Sequence, residues 1–416
     1  MTSLHDDLRQ VRGANYLPSY AINTVAIWRE FDPAVIDREM GYAERLGINS
    51  VRVFLHYHVY EHDPAAYLRM VEAFVALCDR HGVRPMLVFF DGCFSVAPSM
   101  TTQFWWVAGP GGPRTNPAFY PQGEKFCRDI VGLFRGDPRV LIWDAMNEPE
   151  AVTFYVGDDT AYAFARHFAQ YLKEIDDTHP VTVGMAHAEH NRHVADVVDA
   201  VSFHPYASTR EDLAARLALA REVAAGKPVI ASETGMPFWG CPYELVLPFF
   251  REENIPAYFF ELMIGRNLCR TTGGIVYPDG TVRRLRHVEA VLGARPEGWV
   301  KKPDRDGVPF AQMKGATHFC GREIERLTAQ PINDDNAWEY YTILWSVANP
   351  GCISEDDTAY LLAQINELRP LMDQGRKAEA YPRIEALMRE AKRFHWSEKP
   401  LFHPDDTTMD DPEGSA

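Results

Sequence analysis

The chain has little that would let it hold nucleic acid, a membrane or a disulfide framework. Its 416 residues carry 42 Lys and Arg against 58 Asp and Glu, a net charge of −16. A field of that sign repels polyanions, which excludes nucleic acid and anionic membrane surfaces as natural partners. No run of about 18 apolar residues is present that could span a bilayer. The N-terminus lacks a basic stretch followed by an apolar one, so no secretory signal is read and a cytoplasmic setting is expected. The 7 cysteines (Cys78, Cys93, Cys127, Cys241, Cys269, Cys320, Cys352) are odd in number and contain no CxxC pair. Reduced thiols fit that pattern better than disulfides or a zinc site. No glycine-rich phosphate fingerprint follows the first apolar run, which removes the commonest dinucleotide-binding reading. Carboxylate and histidine ligands do not gather at several strand ends, so no metal and no cofactor is expected.

What is present is alternation. Eight apolar, β-rich runs lie between about residues 12 and 264: 11–16, 50–55, 84–90, 140–146, 181–185, 200–203, 228–232 and 257–263. Amphipathic helical stretches separate them, the arrangement of βαβ units around a parallel sheet. In one such stretch Asp32 is placed to cap a helix, Pro33 to begin it and Gly47 to end it. The stretch from Pro64 to Arg80, with Gly82 beyond it, repeats the plan. Eight strands alternating with helices over roughly 250 residues is the size of one (β/α)8 barrel. A doubly wound open sheet is the structural alternative.

After residue 296 the pattern becomes helical. Segments 334–348, 354–374 and 377–395 read as three helices, with Ser354 as a cap and Gly375 as a stop. The expected division is a catalytic barrel over 1–296, a helical domain over 297–404 and a disordered acidic tail over 405–416.

Two strand ends carry the chemistry. The fourth run closes with Asn147-Glu148-Pro149, and the seventh closes with Ser232-Glu233-Thr234-Gly235. On a barrel the C-terminal strand ends face the site, so Glu148 and Glu233 would meet across its mouth. Glycoside hydrolysis needs such a pair, one carboxyl protonated to help the leaving oxygen and one ionised to attack the anomeric carbon.

With these motifs in place, residues 12–295 resemble a clan A glycoside hydrolase, close to family 5 and to family 2 catalytic domains. The resemblance implies a retaining enzyme with Glu148 as acid/base and Glu233 as nucleophile. It further implies that Arg52 pairs with the nucleophile, that Asn147 meets the sugar 2-hydroxyl, and that His204 and Tyr206 contact the nucleophile and the sugar. An arginine beside Glu233 would keep it ionised, and a less polar setting would raise Glu148. The clan usually ends strand eight with a tryptophan, whereas this chain has Phe260-Glu261 there. Either Phe260 replaces the platform, or Glu261 contacts an unusual sugar, or Glu261 pairs with Arg266.

Further substrate-binding candidates are Asn15 in the first run, Asp91 after strand three, and the loop aromatics Trp105, Trp106 and Trp239, whose rings suit the apolar face of a sugar. Residues 91–120, which include Gly109-Pro110-Gly111-Gly112-Pro113, form a long loop at the expected mouth. His56, His58, Glu61 and His62 form a polar cluster after strand two. The expected function is a retaining β-glycosidase acting on oligosaccharides or glycosides. A transglycosylase and a carbohydrate-binding barrel without catalysis are the alternatives, and the retention of both glutamates argues against the second.

Overall fold

The computed structural model describes residues 4–93, 100, 106–156, 159–237, 240–266, 273–301, 331–332, 337, 340, 344, 355–391 and 393–394. Eight parallel strands close into a barrel in sequence order: β1 (Arg12–Asn15), β2 (Ser50–Phe54), β3 (Arg84–Asp91), β4 (Ile142–Asn147), β5 (Val181–Met185), β6 (Val201–Phe203), β7 (Val229–Thr234) and β8 (Ala257–Phe259). Strand β1 pairs with both β2 and β8, which closes the ring. The open-sheet alternative is thereby removed. Each expected run contains a strand. The eighth strand is the one that falls well short, ending at Phe259. Beyond it the regular ladder stops, but single bonds to both flanking strands continue: Phe260 N donates to Thr234 O at 2.7 Å and Leu262 N to Asn15 O at 3.0 Å.

The helices form where their end signals stand. In α3 (Pro33–Arg45), which follows α1 (Leu4–Arg9) and α2 (Thr24–Arg29), Asp32 accepts from the amides of Ala34 and Val35. Gly47, at φ +67°, takes the left-handed conformation that releases the chain toward β2. Helix α5 (Pro64–Arg80) follows α4 (Tyr57–His62) and is capped in the same way by Asp63, whose side chain accepts from Ala66 N. The first-turn proline is compatible in both because that amide has no intrahelical partner.

The floor of the barrel is apolar. Leu8 of α1 packs with Met86, Leu141, Ile142, Ala200, Ile230 and Tyr258. Gly13 makes room for this plug, since a Cβ there would lie 2.3 Å from the Tyr258 ring. The Tyr258 hydroxyl shares a 2.8 Å hydrogen bond with Ser50. With its lower end filled, the barrel offers its C-terminal end for chemistry.

Strand register then decides which residues share a level. Asn15 lies opposite Arg52, and Asn147 lies opposite both Asp91 and Gly184. Two register shifts interrupt the barrel, one between Asp144 and Asn147 and one between Ala231 and Thr234. They fall on the two strands that lead to Glu148 and Glu233, where an irregularity re-aims the following side chain.

By compactness the chain divides into two units. The first comprises residues 1–94, 98–236 and 241–303 and contains the barrel; the second is dominated by residues after 303. Within the second, the helices Glu355–Asp373 and Lys377–Ala391 pack on each other, burying Leu361, Ile365 and Leu368 on one and Ile384, Leu387 and Met388 on the other. Gly375, at φ +64°, ends the first of them. Residues 337, 340 and 344 are helical, while Trp338, Tyr341, Trp345 and Ser354 lie outside the described residues, as does the 405–416 segment. Among the described residues no helix is long and apolar enough to cross a membrane. The described cysteines Cys78, Cys93, Cys127 and Cys241 are free thiols.

Candidate active site

Arg52 organises the site from below. It projects from β2 with no exposed surface, so every donor on its guanidinium must find a partner inside the protein. Nη1 reaches Glu233 Oε1 at 2.5 Å and Asn15 Oδ1 at 3.2 Å. Nη2 reaches Asp144 Oδ2 at 2.8 Å and Asn147 Oδ1 at 2.7 Å, and Nε adds a second bond to Asp144 Oδ2 at 2.9 Å. Burial works against its charge, but Asp144 and Glu233 outweigh burial and keep Arg52 protonated.

Above it stand the two glutamates. Glu233 is the penultimate residue of β7, and its second oxygen accepts from the Tyr206 hydroxyl at 2.9 Å. Burial, and then the charge of Glu233, hold the Tyr206 pKa far above its ordinary value, so it remains a donor. Glu148 follows β4 at φ +41°, a left-handed conformation uncommon away from glycine and costly enough to need support. Its amide is fixed to Gly184 O at 2.7 Å. One of its oxygens meets His204 Nδ1 at 2.6 Å and the other accepts from the Cys93 thiol. Burial raises the pKa of Glu148, while Cys93, Arg52 and His187 pull it back. His204 is pushed down to about 4, chiefly by burial and against the pull of Glu233. The ring is therefore neutral at neutral pH, and its contact with Glu148 is a hydrogen bond whose proton depends on the tautomer.

One atom each from Glu148, His204 and Glu233 lie within 4.8 Å of one another. A cation would tolerate that spacing, but Arg52 already supplies a fixed positive charge, and both Glu233 oxygens accept from protein donors. A short separation between two carboxyls of unlike surroundings is what double displacement requires, because inversion leaves room for a water at roughly 6.5–9.5 Å.

Arg52, Asn147, Glu148, His204, Tyr206 and Glu233 are thus brought together. Other candidates are placed differently. Asn15 has no exposed surface; its amide donates to Ser232 O at 2.9 Å and its oxygen serves Arg52, so it braces the site instead of facing a ligand. Asp91 is 3% exposed and spends both oxygens on protein donors: Asn147 Nδ2 and Cys93 N on one, Trp106 Nε1 on the other. It supports Asn147 and does not present a free oxygen to a hydroxyl. Burial pushes its carboxyl up to about 7, with those hydrogen bonds opposing. Trp106 stands edge-on to Phe54 at 4.9 Å and lies 6.0 Å from the Phe260 ring. Both Trp106 and Phe260 are almost wholly buried. Glu261 is buried just past β8, and Arg266 turns to Glu30 at 3.6 Å. Trp105, Trp239 and Asn267 lie outside the described residues.

After β2, His56 is buried against the Gly109 loop and Glu61 pairs with Arg114 at 2.8 Å. After β5, His190 meets Glu150 at 3.1 Å. Trp143 and Asp144 lie below the mouth, where Trp143 donates to Asp176 at 2.8 Å. Two functional neighbours escaped the sequence reading, Cys93 and Gly184. Only strand pairing shows them: a Cβ on Gly184 would stand 2.7 Å from Arg52 Nη2, 3.0 Å from Asp144 Oδ2 and 3.3 Å from His204 Nε2.

Comparison with known proteins agrees with this geometry. Residues 33–238 match the family model described as cellulase (glycosyl hydrolase family 5). Among curated proteins, a mannan endo-1,4-beta-mannosidase 2 of Oryza sativa subsp. japonica is 28% identical over 131 residues, covering 28% of this chain and 29% of that protein. The Arabidopsis thaliana protein of the same name is 25% identical over 126 residues, covering 27% of this chain and 29% of its own length. The chain therefore aligns with less than a third of these relatives. Among solved structures, an exo-beta-1,4-mannosidase from Opitutaceae bacterium strain TAV5 superposes with a TM-score of 0.52 at 17% identity, covering 68% of this chain and 58% of that one, a likeness of fold. With its closed barrel and the match over residues 33–238, the chain is family 5-like in its barrel, the clan A architecture.

Proposed function

We propose that the protein is a retaining β-glycosidase that hydrolyses O-glycosidic bonds through a covalent glycosyl-enzyme, with Glu233 as nucleophile and Glu148 as acid and then base. The observation that carries this is the unlike setting of two adjacent carboxyls. Glu233 accepts from the Arg52 guanidinium on one oxygen and from the Tyr206 hydroxyl on the other, so a fixed cation and a neutral donor aim it. Among the described residues no such cation is in contact with Glu148, and burial favours its protonated form. In the first step a Glu233 oxygen bonds to the anomeric carbon while the proton of Glu148 passes to the departing oxygen. In the second, Glu148 takes a proton from water, the water oxygen bonds to the anomeric carbon, and Glu233 leaves as carboxylate. Asn147, held at Oδ1 by Arg52 and at Nδ2 by Asp91, keeps one amide hydrogen for the sugar 2-hydroxyl.

The relatives named for mannan make β-mannosides the first sugars to try. The active unit on this reading is the barrel, with the helical region after it a separate domain. A panel of aryl β- and α-glycosides, with wild type, Glu148→Ala and Glu233→Ala and added azide, tests the mechanism. Cleavage of a β-glycoside is expected, lost in Glu233→Ala and restored by azide as the α-glycosyl azide. In Glu148→Ala, azide should give the β product. Turnover unchanged in Glu233→Ala would sink the assignment.

A further inference from the structure

Strand β3 ends at Asp91, and Asp91, Gly92 and Cys93 each touch Asn147, which ends β4, or Glu148, which follows it. Asp91 Oδ1 accepts from Asn147 Nδ2 at 2.9 Å. Gly92 N donates to Asn147 O at 2.8 Å. A Cβ on Gly92 would fall 2.3 Å from Glu148 O and 3.1 Å from the Val152 side chain, so the approach of the two backbones admits glycine alone. Cys93 closes the turn onto Asp91 through its amide at 2.9 Å, and its thiol donates to Glu148 Oε2.

From these contacts we infer that the Asp91-Gly92-Cys93 turn is the positioning element of the acid/base strand, with the Cys93 thiol holding Glu148 Oε2 and favouring its ionised form. The inference rests on the reading of Glu148 as acid/base. Glu148 needs such a partner because it must release a proton in one step and recover one in the next, which is easiest when its pKa lies near the working pH. Burial alone would leave it too reluctant to ionise. The thiol is a dependable donor here. Burial, and then the neighbouring Glu148, raise its own pKa well above the ordinary thiol value, so it stays protonated. His204, against the other oxygen, is neutral and brackets the carboxyl from the opposite side. Among the described residues, other charged and titratable groups about Glu148 are Arg52 from β2, Asp91 from β3, His187 after β5, Tyr206 after β6 and Glu233 from β7. Cys93 and His204 are the ones that bond its oxygens directly.

The test compares wild type, Cys93→Ala and Cys93→Ser by 13C NMR of glutamate-labelled protein, with Glu148→Gln identifying the Glu148 signal. A titration of that signal needs no substrate. In Cys93→Ala the Glu148 pKa should rise by about 1 pH unit, the size expected for one buried hydrogen bond to a charged group. In Cys93→Ser, whose hydroxyl still donates, it should stay at the wild-type value or fall below it. The alkaline limb of kcat/KM on an aryl glycoside should move with the NMR value. Should alanine prevent folding, Cys93→Val removes the donor while keeping the volume. An unmoved Glu148 signal in the donor-free variant, or equal shifts in serine and alanine, would overturn the role of Cys93. A shifted signal with an unshifted kcat/KM limb would leave the contact standing and overturn Glu148 as the acid/base.

Discussion

Arg52 and Asp144 form a buried pair in which two guanidinium nitrogens, Nε and Nη2, donate to the same oxygen, Asp144 Oδ2, at 2.9 and 2.8 Å, with neither side chain exposed. The other Asp144 oxygen accepts from Gly184 N at 3.0 Å, so the carboxylate is also tied to β5. Such a pair is weak evidence for stability as a whole, but breaking it is costly, because the surviving charge remains buried. Asp144→Asn should therefore lower stability by about 3–5 kcal/mol and also lower activity, through the altered aim of Arg52 at Glu233. Arg52→Lys should do no better, since an ammonium cannot serve four acceptors in the planar arrangement found here. Urea unfolding and kcat/KM on the same preparations check both effects; a stable but inactive Asp144→Asn would show that the pair serves orientation alone.

Gly184 tests how closely the site is packed. It needs no positive φ; what it lacks is room, with Arg52, Asp144 and His204 all inside contact distance of a would-be Cβ. Because those side chains are held by hydrogen bonds on their far sides, they have little freedom to withdraw. Gly184→Ala is expected to displace Arg52 and His204 together and to reduce kcat by about 100-fold, the scale of a misplacement near 1 Å. Kinetics with circular dichroism distinguish this from unfolding. A variant with wild-type kcat would mean that the strands yield more than the packing implies.

Much of this arrangement was legible because it follows one rule: parallel barrel strands end at one face, and their last residues meet there. The ends of β2, β4, β6 and β7 could be read one at a time, and Arg52, Glu148, His204, Tyr206 and Glu233 converge as the rule requires. What could not be read was lateral register. Nothing in the order of residues says that Cys93 lies beside Glu148, 55 positions later, or that Gly184 leaves space for Arg52. The same blindness hid the protein partners of Asn15 and Asp91. Both sit at strand ends with the right polarity for a ligand, yet their hydrogen-bonding capacity is consumed by Arg52, Ser232, Asn147 and Trp106. The overlong eighth strand has a related cause, since an apolar run continues through Met263 while the regular ladder ends at Phe259.

Tyr206 is the simplest probe of how Glu233 is held. Among the described residues its hydroxyl is one of two donors on that carboxylate, the other being Arg52. Tyr206→Phe removes a hydrogen bond to a charged acceptor while keeping the ring, a loss of about 1.5–3 kcal/mol where the bond reaches its full worth only in the transition state. Expected is a fall of about 10- to 100-fold in kcat/KM, with the fold intact. Circular dichroism and kcat/KM on the same preparation check this. An unchanged kcat/KM would mean that the Tyr206 bond contributes nothing to holding Glu233 for the reaction.

Away from the chemistry, Glu39 makes the stability of the barrel depend on pH. It belongs to α3, has no exposed surface, and accepts from the Tyr16 hydroxyl at 2.8 Å, from Ser19 N at 3.3 Å and from the Ser19 hydroxyl. It thereby ties the segment after β1 to the helix. Burial raises its carboxyl from 4.5 to about 7, although Ser19, Tyr16 and Arg38 oppose the rise. The folded state therefore binds the proton more tightly than the unfolded one. Its contribution is fully present below about 4.5 and is lost as pH rises through about 7. Glu39→Gln has no proton to lose, so its stability should lack this slope. Between about pH 5 and pH 8 the wild type should weaken relative to Glu39→Gln, by up to about 3 kcal/mol. Urea unfolding of both proteins at the two pH values measures that difference. A constant gap between them would mean that Glu39 ionises in the fold as readily as in the unfolded chain, and that its three hydrogen bonds offset the whole cost of burial.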